Sequence, residues 1–277
     1  MSKLSQDLFN LKDKVVIISG GNGFLGRQFV RVLNQYGANT VILDLNRNGS
    51  DEFLAEIKND YNTNPYFYHL DITNEKEVSK VSRAILEKYG RIDSLINNAA
   101  LNPDFKKSSE NFSKLENFEL LNWEKEIAVG LTGAFLCSKY FGSEISKNKN
   151  GGSIINISSD LGIISPDQRL YNDENKDRDK QMVKPVTYSV IKHGIIGLTK
   201  YLATYWCDRN VRCNAICPGG VENGQSEEFI KKISTRIPLG RMARYKDLDS
   251  TLVWMLCDSS SYLNGAVVPV DGGRSIW

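Results

Sequence analysis

The chain reads as an α/β fold: a doubly wound, seven-stranded parallel sheet with helices on both faces, in a single domain over residues 1–277. Three observations predict it. Short β-branched apolar runs alternate with helical stretches along the whole length, as strand and crossover helix do in a parallel sheet. The first run opens through a glycine-rich turn directly into a helix. Small and polar residues follow most of the later runs, where the carboxyl ends of strands would form one edge.

Lys14-Val-Val-Ile-Ile-Ser19 is the first strand, and Gly20-Gly-Asn-Gly23-Phe-Leu-Gly26 the turn. Phe29, Val30, Val32, Leu33 and Tyr36 then recur at helical spacing up to Gly37, and Thr40–Leu43 is a second strand that stops at Asp44, which completes one βαβ unit. Tyr66–Leu70 is a third strand, followed by Asp71-Ile-Thr, and Glu75–Tyr89 a helix with Val78, Val81 and Ile85 on its apolar face. Asp93–Ile96 is the fourth strand and ends at Asn97-Asn98-Ala99-Ala100. After a polar stretch, Leu101 to Glu119, a long helix is expected over about Trp123–Ser146 and a fifth strand over Gly152–Ile157, leading to Ser158-Ser159. A second long helix, Thr187–Cys207, precedes a sixth strand, Val211–Cys217, stopped by Pro218-Gly-Gly. Ala266–Val270, before Asp271-Gly-Gly, is the seventh. Ligands of such sheets bind beyond the carboxyl ends of the strands, which gathers Gly20, Asp44, Asp71, Asn98, Ser159 and Pro218 into one cleft.

Composition narrows the function classes. At 277 residues, 41% hydrophobic and 25% charged, the chain is long enough for one large core. A formal charge of +2, with the basic residues spread out, argues against nucleic-acid binding. The N-terminus lacks the apolar core of a signal peptide, and no stretch approaches the roughly 18 apolar residues of a membrane span. A cytoplasmic protein without membrane partners is expected. Five cysteines, Cys137, Cys207, Cys213, Cys217 and Cys257, are an odd number within apolar segments and read as buried reduced thiols. Cys213 and Cys217 stand four apart in a strand-like run with no histidine near, so no metal site is expected.

Two stretches carry chemistry. In the glycine turn, one glycine permits a tight turn, one lets the backbone approach a pyrophosphate, and Gly26 lets the helix pack closely, while the helix N-terminus offers free N–H groups. Gly20, Asn22, Gly23, Phe24, Leu25 and Gly26 make up this cofactor-facing set. Asp44, with Leu45 beside it, stands where a carboxylate accepts hydrogen bonds from an adenosine ribose and repels a 2′-phosphate. NAD is therefore favoured, with Arg47 near enough to leave NADP as the alternative. Tyr188 and Lys192 are four apart on a helix and share one face. A cation close to a phenol favours the phenolate, so the pair could pass a proton to or from a substrate oxygen.

Gly20-x-x-Gly23-x-x-Gly26, Asp71-Ile-Thr, Asn97-Asn98-Ala99-Ala100, Asn156-Ile-Ser-Ser159, Tyr188-x-x-x-Lys192, Arg212-x-Asn214, Pro218-Gly219 and Val270-Asp-Gly-Gly273, in that order, closely resemble the short-chain dehydrogenase/reductase family. The resemblance runs from Leu11 to the C-terminus and implies a single-domain Rossmann fold. It implies Tyr188 as the acid/base, Lys192 as the cation that lowers its pKa and holds the nicotinamide ribose, and Ser159 as the holder of the substrate oxygen, with Ser158 as the alternative one register away. It implies adenine contacts from Asp71 and Ile72, a ribose-side wall from Asn98, Ala99 and Ala100, and a nicotinamide border from Pro218, Gly219 and Val221. The two long helices resemble those of the family's interfaces, so a homodimer or homotetramer is expected.

Departures from the family pattern qualify this. The glycine spacing is that of the longer, sugar-nucleotide-modifying branch, with Phe24 where the shorter branch usually has Gly. Gly130 occupies the usual position of a fourth catalytic residue, an Asn. An insertion at about 163–184 extends the gap between Ser159 and Tyr188 over the substrate side, with Gln168, Arg169 and Tyr171 as candidate substrate residues. A lid is expected at about 222–241. The details look most like dehydrogenases of bacterial surface-polysaccharide and flagellin-glycosylation pathways, which implies a phosphorylated or nucleotide-linked sugar as substrate. The alternatives are a sugar-nucleotide epimerase or dehydratase with no net redox change, suggested by the glycine spacing, and a non-catalytic dinucleotide sensor, suggested by Gly130.

Overall fold

The computed structural model describes residues 8–101, 113–172, 177 and 180–277. The expected polar stretch after Leu101 and the expected insertion fall partly outside these residues. The strands are β1 (Val15–Ser19), β2 (Asn39–Asp44), β3 (Tyr66–His69), β4 (Ser94–Asn97), β5 (Gly152–Ile157), β6 (Val211–Pro218) and β7 (Val267–Val270). They form one seven-stranded sheet in the order β3-β2-β1-β4-β5-β6-β7, and every pairing is parallel. The order reverses between β1 and β4, where Ser19 lies opposite Asn97. That switch point opens a crevice at the carboxyl edge.

The strand sequences are apolar on both faces because both faces are covered. Along β1, Val16 and Ile18 enter one core with Phe29, Leu33, Leu252 and Leu256. Val15 and Ile17 enter the other with Val78, Ile85, Phe141 and Leu202. The covering helices are α1 (Phe24–Gln35), α2 (Ser50–Tyr61), α3 (Glu75–Tyr89), α4 (residues 120–145), α5 (Val186–Tyr205), α6 (Glu227–Ser234) and α7 (Asp249–Leu256). Asn74 caps α3 by accepting the Glu77 N–H, and Ser226 caps α6 by accepting the Phe229 N–H. Among the described residues, no helix is long and apolar enough to cross a membrane.

Three helices, α2, α6 and α7, escape the sequence pattern, α6 lying within the expected lid. Helix α2 buries only Ser50, Phe53 and Ile57, too few apolar positions to declare a period. Helix α7 is short and apolar on most sides, burying Leu252, Val253, Met255 and Leu256, so it shows little contrast between faces. Helix α4 begins three residues before the expected Trp123 and is interrupted by two π-helical turns, Ala128–Thr132 and Ser138–Gly142. Glycines bring it close to its neighbours: a Cβ on Gly133 would lie 2.6 Å from Ile72 Cδ1, and one on Gly142 2.7 Å from Trp206. Four of the five cysteines are buried as expected, while Cys207 is exposed.

Candidate active site

At the β1–α1 turn, Gly20 adopts φ +63°, a left-handed conformation that favours glycine, and a Cβ there would lie 2.8 Å from Ala99 Cα. A Cβ on Gly26 would lie 2.2 Å from the Gly20 carbonyl oxygen. The turn thus packs backbone on backbone against the loop after β4. Asn98 holds it there: its Nδ2 donates to the carbonyls of Ser19 at 3.1 Å and Gly20 at 3.0 Å, while the Ser19 hydroxyl accepts the N–H groups of Asn98 and Ala99. The Asn98 side chain is a brace of the turn, and Ala100 is left exposed beside it. Helix α1 starts after Gly23 with no side-chain cap and no acidic residue in its first turn, so the N–H groups of that turn are open to an anion. Phe24 is exposed and meets Tyr245 edge-on, and Leu25 packs inward.

Asp44 ends β2 with one carboxylate oxygen accepting the Asn22 N–H at 3.0 Å and the other the Asn46 N–H at 2.9 Å. Asn22 ties the same loop by donating to the Asn46 and Asn48 carbonyls, and Leu45 is exposed at its rim. The arginines nearby are engaged. Arg27 donates to Asn22, Asn48 and Gly49, and Arg47 pairs with Asp51 at 2.9 Å. Asp71 closes a turn onto the Thr73 N–H and hydroxyl. The Ile72 side chain is buried against Gly133 of α4. Pro218 is buried at the end of β6, the Gly219 N–H donates to the Val270 carbonyl, and Val221 bridges to Ala243. A glycine cradle, an uncapped helix start and a strand-end carboxylate fit a nicotinamide dinucleotide.

At the other end of the cleft, Ser158 and Ser159 separate. The Ser158 hydroxyl donates to the Lys192 carbonyl at 2.7 Å and locks β5 to α5. Ser159 instead stands beside the Tyr188 phenol, close enough to act on its pKa, donates to Asp160 Oδ1 at 2.8 Å and accepts the Leu161 N–H. The other Asp160 oxygen accepts from Arg274 at 2.7 Å in a buried ion pair. Lys192 donates from Nζ to the Ile157 carbonyl at 2.8 Å, and burial brings its pKa down to about 8, with the charge of Lys184 adding to the effect.

Tyr188 behaves otherwise than the Tyr-x-x-x-Lys spacing alone predicts. Burial pushes its phenol above the ordinary value, with the neighbouring Ser159 hydroxyl acting the other way. The Lys192 ammonium is 5.8 Å from the ring centroid and does not overcome desolvation. A second ammonium is closer: Lys184 Nζ lies 3.7 Å from that centroid.

Gly130 has a packing reason. A Cβ there would lie 2.7 Å from Ile191 Cγ2, so Ile191, one residue before Lys192, fills the space an Asn side chain would need. The insertion residues are placed unlike the sequence expectation. Arg169 is exposed and pairs with Asp167 at 2.8 Å. Gln168 grips the backbone of Lys184. Tyr171 packs on Phe229 of α6 with ring centroids 5.8 Å apart, and burial pushes its phenol up to about 12. With Leu170, Ile233, Ile237 and Met242 it forms a small core joining the insertion to the expected lid segment. The sequence reading missed Asp160, Lys184, Ile191 and Arg274. Lys184 had a signal, because Lys184-x-x-x-Tyr188-x-x-x-Lys192 puts lysines four residues to either side of the tyrosine. Arg274 had none, with its partner 114 residues away.

A family model for short chain dehydrogenases matches residues 14–171, and one described as enoyl-(acyl carrier protein) reductase matches residues 178–275. The chain belongs to the short-chain dehydrogenase/reductase family. Its members act on CH–OH groups of small molecules with NAD(P), so this chain is an oxidoreductase of that kind. A short chain dehydrogenase/reductase of Aspergillus oryzae, astE, is 30% identical over 98% of both chains. The D-threitol dehydrogenase of Mycolicibacterium smegmatis is 27% identical over 99% of this chain and 98% of its own. A gluconate 5-dehydrogenase from Burkholderia cenocepacia, solved with NADP and tartrate, superposes with a TM-score of 0.84 at 22% identity, covering 98% of each chain. The similarity to that structure carries the fold.

Proposed function

We propose that this short-chain dehydrogenase/reductase uses NAD to interconvert a secondary alcohol and a ketone on a small hydroxyl-rich substrate. The observation that carries the reading is the convergence of the Ser159 hydroxyl, the Tyr188 phenol and the buried Lys192 ammonium at the carboxyl edge of β5. When bound, the dinucleotide supplies or accepts the hydride. Tyr188, as phenolate, takes the proton of the substrate hydroxyl during oxidation and returns it during reduction. Ser159, whose hydroxyl donates to Asp160 before substrate binds, would turn that O–H onto the substrate oxygen. Lys192, steadied by the Ile157 carbonyl, supports the phenolate electrostatically.

Asp44 supports NAD over NADP. Its charge would face the 2′ position of an adenosine ribose, and the nearby Arg27 and Arg47 are committed elsewhere. The phosphorylated or nucleotide-linked sugar expected from the sequence keeps support from polyol-directed relatives such as the threitol dehydrogenase for its hydroxyl-rich part. Arg169, its candidate partner for the charged part, is paired with Asp167. The insertion and the segment around α6 would form the substrate wall and lid, joined by the Asp167–Arg236 ion pair.

The test is absorbance at 340 nm with NAD and with NADP across alcohols and ketones of sugars. NAD should give the higher kcat/KM, and Tyr188→Phe should lower kcat by about 10²- to 10⁴-fold with dinucleotide binding retained. Unchanged behaviour of Tyr188→Phe would favour a dinucleotide sensor, and turnover without net NADH an epimerase.

A further inference from the structure

We propose that Lys184 is the specificity-determining group of the substrate pocket, pairing with a carboxylate or phosphate oxygen carried by the substrate. The proposal deepens the alcohol–ketone reading and rests on it. Lys184 stands four residues before Tyr188, and Lys192 four after. Lys192 is committed to the Ile157 carbonyl, whereas the Lys184 ammonium lies over the Tyr188 ring, 3.7 Å from its centroid.

Lys184 is half-buried, yet among the described residues it forms no ion pair with a carboxylate. The acidic groups whose charge reaches it are Asp160 and Glu126. Asp160 is held by Arg274, and Glu126 accepts the hydroxyl of Thr187. A desolvated ammonium without a counter-ion is costly, and here burial draws its pKa down to about 8. A substrate anion would relieve that cost, because a charge-assisted hydrogen bond gains strength out of water.

The backbone that carries Lys184 is held in place. The Lys184 N–H donates to Gln168 Oε1 at 2.8 Å, Gln168 Nε2 donates back to the Lys184 carbonyl at 3.5 Å, and the Val183 N–H donates to the Ser113 hydroxyl at 3.1 Å. Pro185 then starts α5. The insertion that the sequence suggested as a substrate wall therefore acts through its backbone: it presents a lysine beside the reactive phenol.

Two matched probe pairs test this. Tartrate and threitol share one carbon skeleton and differ by carboxylates, and glycerol 3-phosphate and glycerol differ by a phosphate. Each is titrated calorimetrically into the NAD-saturated protein. At least one anion should bind wild type roughly tenfold or more tighter than its neutral twin. Lys184→Gln should abolish that ratio, and Lys184→Arg should keep most of it. The anion that shows the larger ratio identifies carboxylate or phosphate as the source. Equal or undetectable binding of charged and neutral probes to wild type overturns the proposal, as does a ratio that survives Lys184→Gln. Absorbance at 340 nm with a panel of secondary alcohols judges the alcohol–ketone reading separately. Lys184-dependent binding without hydride transfer on any of them sinks that reading and leaves the anion site standing.

Discussion

Asp160 divides its two oxygens between the Ser159 hydroxyl and the Arg274 guanidinium, both buried. Removing Arg274 leaves a buried carboxylate without its counter-charge, a change that costs about 3–5 kcal/mol. Arg274→Ala should therefore lower the denaturation midpoint markedly, and Asp160→Asn in the same chain should recover part of the loss. The half-buried Lys184 and the buried Lys192 make a pH prediction. Lys184 and Lys192 fall from 10.5 to about 8 in the folded state, so between those values the unfolded chain binds more protons and stability rises with pH. Their cost is fully present below about pH 8 and gone above 10.5. Around Lys184 the titratable groups are Asp160, Arg274 and Glu126, and around Lys192 they are Lys184 and the Cys217 thiol. Lys184→Met should raise the melting temperature of the cofactor-free protein below pH 8, with a gain that shrinks toward pH 10.5. A melting-temperature difference that is flat with pH would contradict this.

Helices α4 and α5 meet at an exchange of bulk. Gly130 lies in a π-helical turn of α4 and Ile191 on α5 fills the space opposite, with Ala134, Ile195 and Leu131 around it. Gly130→Asn alone should lower stability by about 1–3 kcal/mol through overpacking. Adding Ile191→Ala should restore much of it, as read from urea midpoints. This pair also explains why the usual Asn is absent without abandoning the enzyme reading, since the space is occupied by packing. The element scale shows where the sequence was legible. Strand β5 and helix α3 fall on the expected residues because their apolar periods are strong. Helices α2 and α7 were missed because one buries too few apolar residues and the other too many for a face to show.

Across the whole molecule, α4 and α5 also carry an outward apolar surface. Leu120, Leu121, Phe135, Val190, Tyr201 and Tyr205 are exposed there, with Tyr201 and Tyr205 stacked at 5.5 Å. Exposed apolar groups on adjacent long helices suit burial against a second copy, so the homodimer or homotetramer expected from the sequence is retained as a proposal. Phe135→Asp with Tyr201→Asp should shift the mass in light scattering toward monomer, and an unchanged mass would show that assembly lies elsewhere.

By itself, the sequence determined the parallel α/β architecture, the glycine turn, the strand-end Asp44 and the pairing of Tyr188 with Lys192 on one helix face. These signals are local, made of periodicity within an element and spacing within a turn or helix. Only the tertiary structure decided the rest. It separated Ser159 from Ser158, joined Asp160 to Arg274 across 114 residues, turned Arg169 onto Asp167, and put Lys184 over the phenol. Each of these depends on which side chain reaches which partner once distant segments pack, and on whether desolvation or a neighbouring charge prevails at Tyr188. Spacing along a chain carries neither.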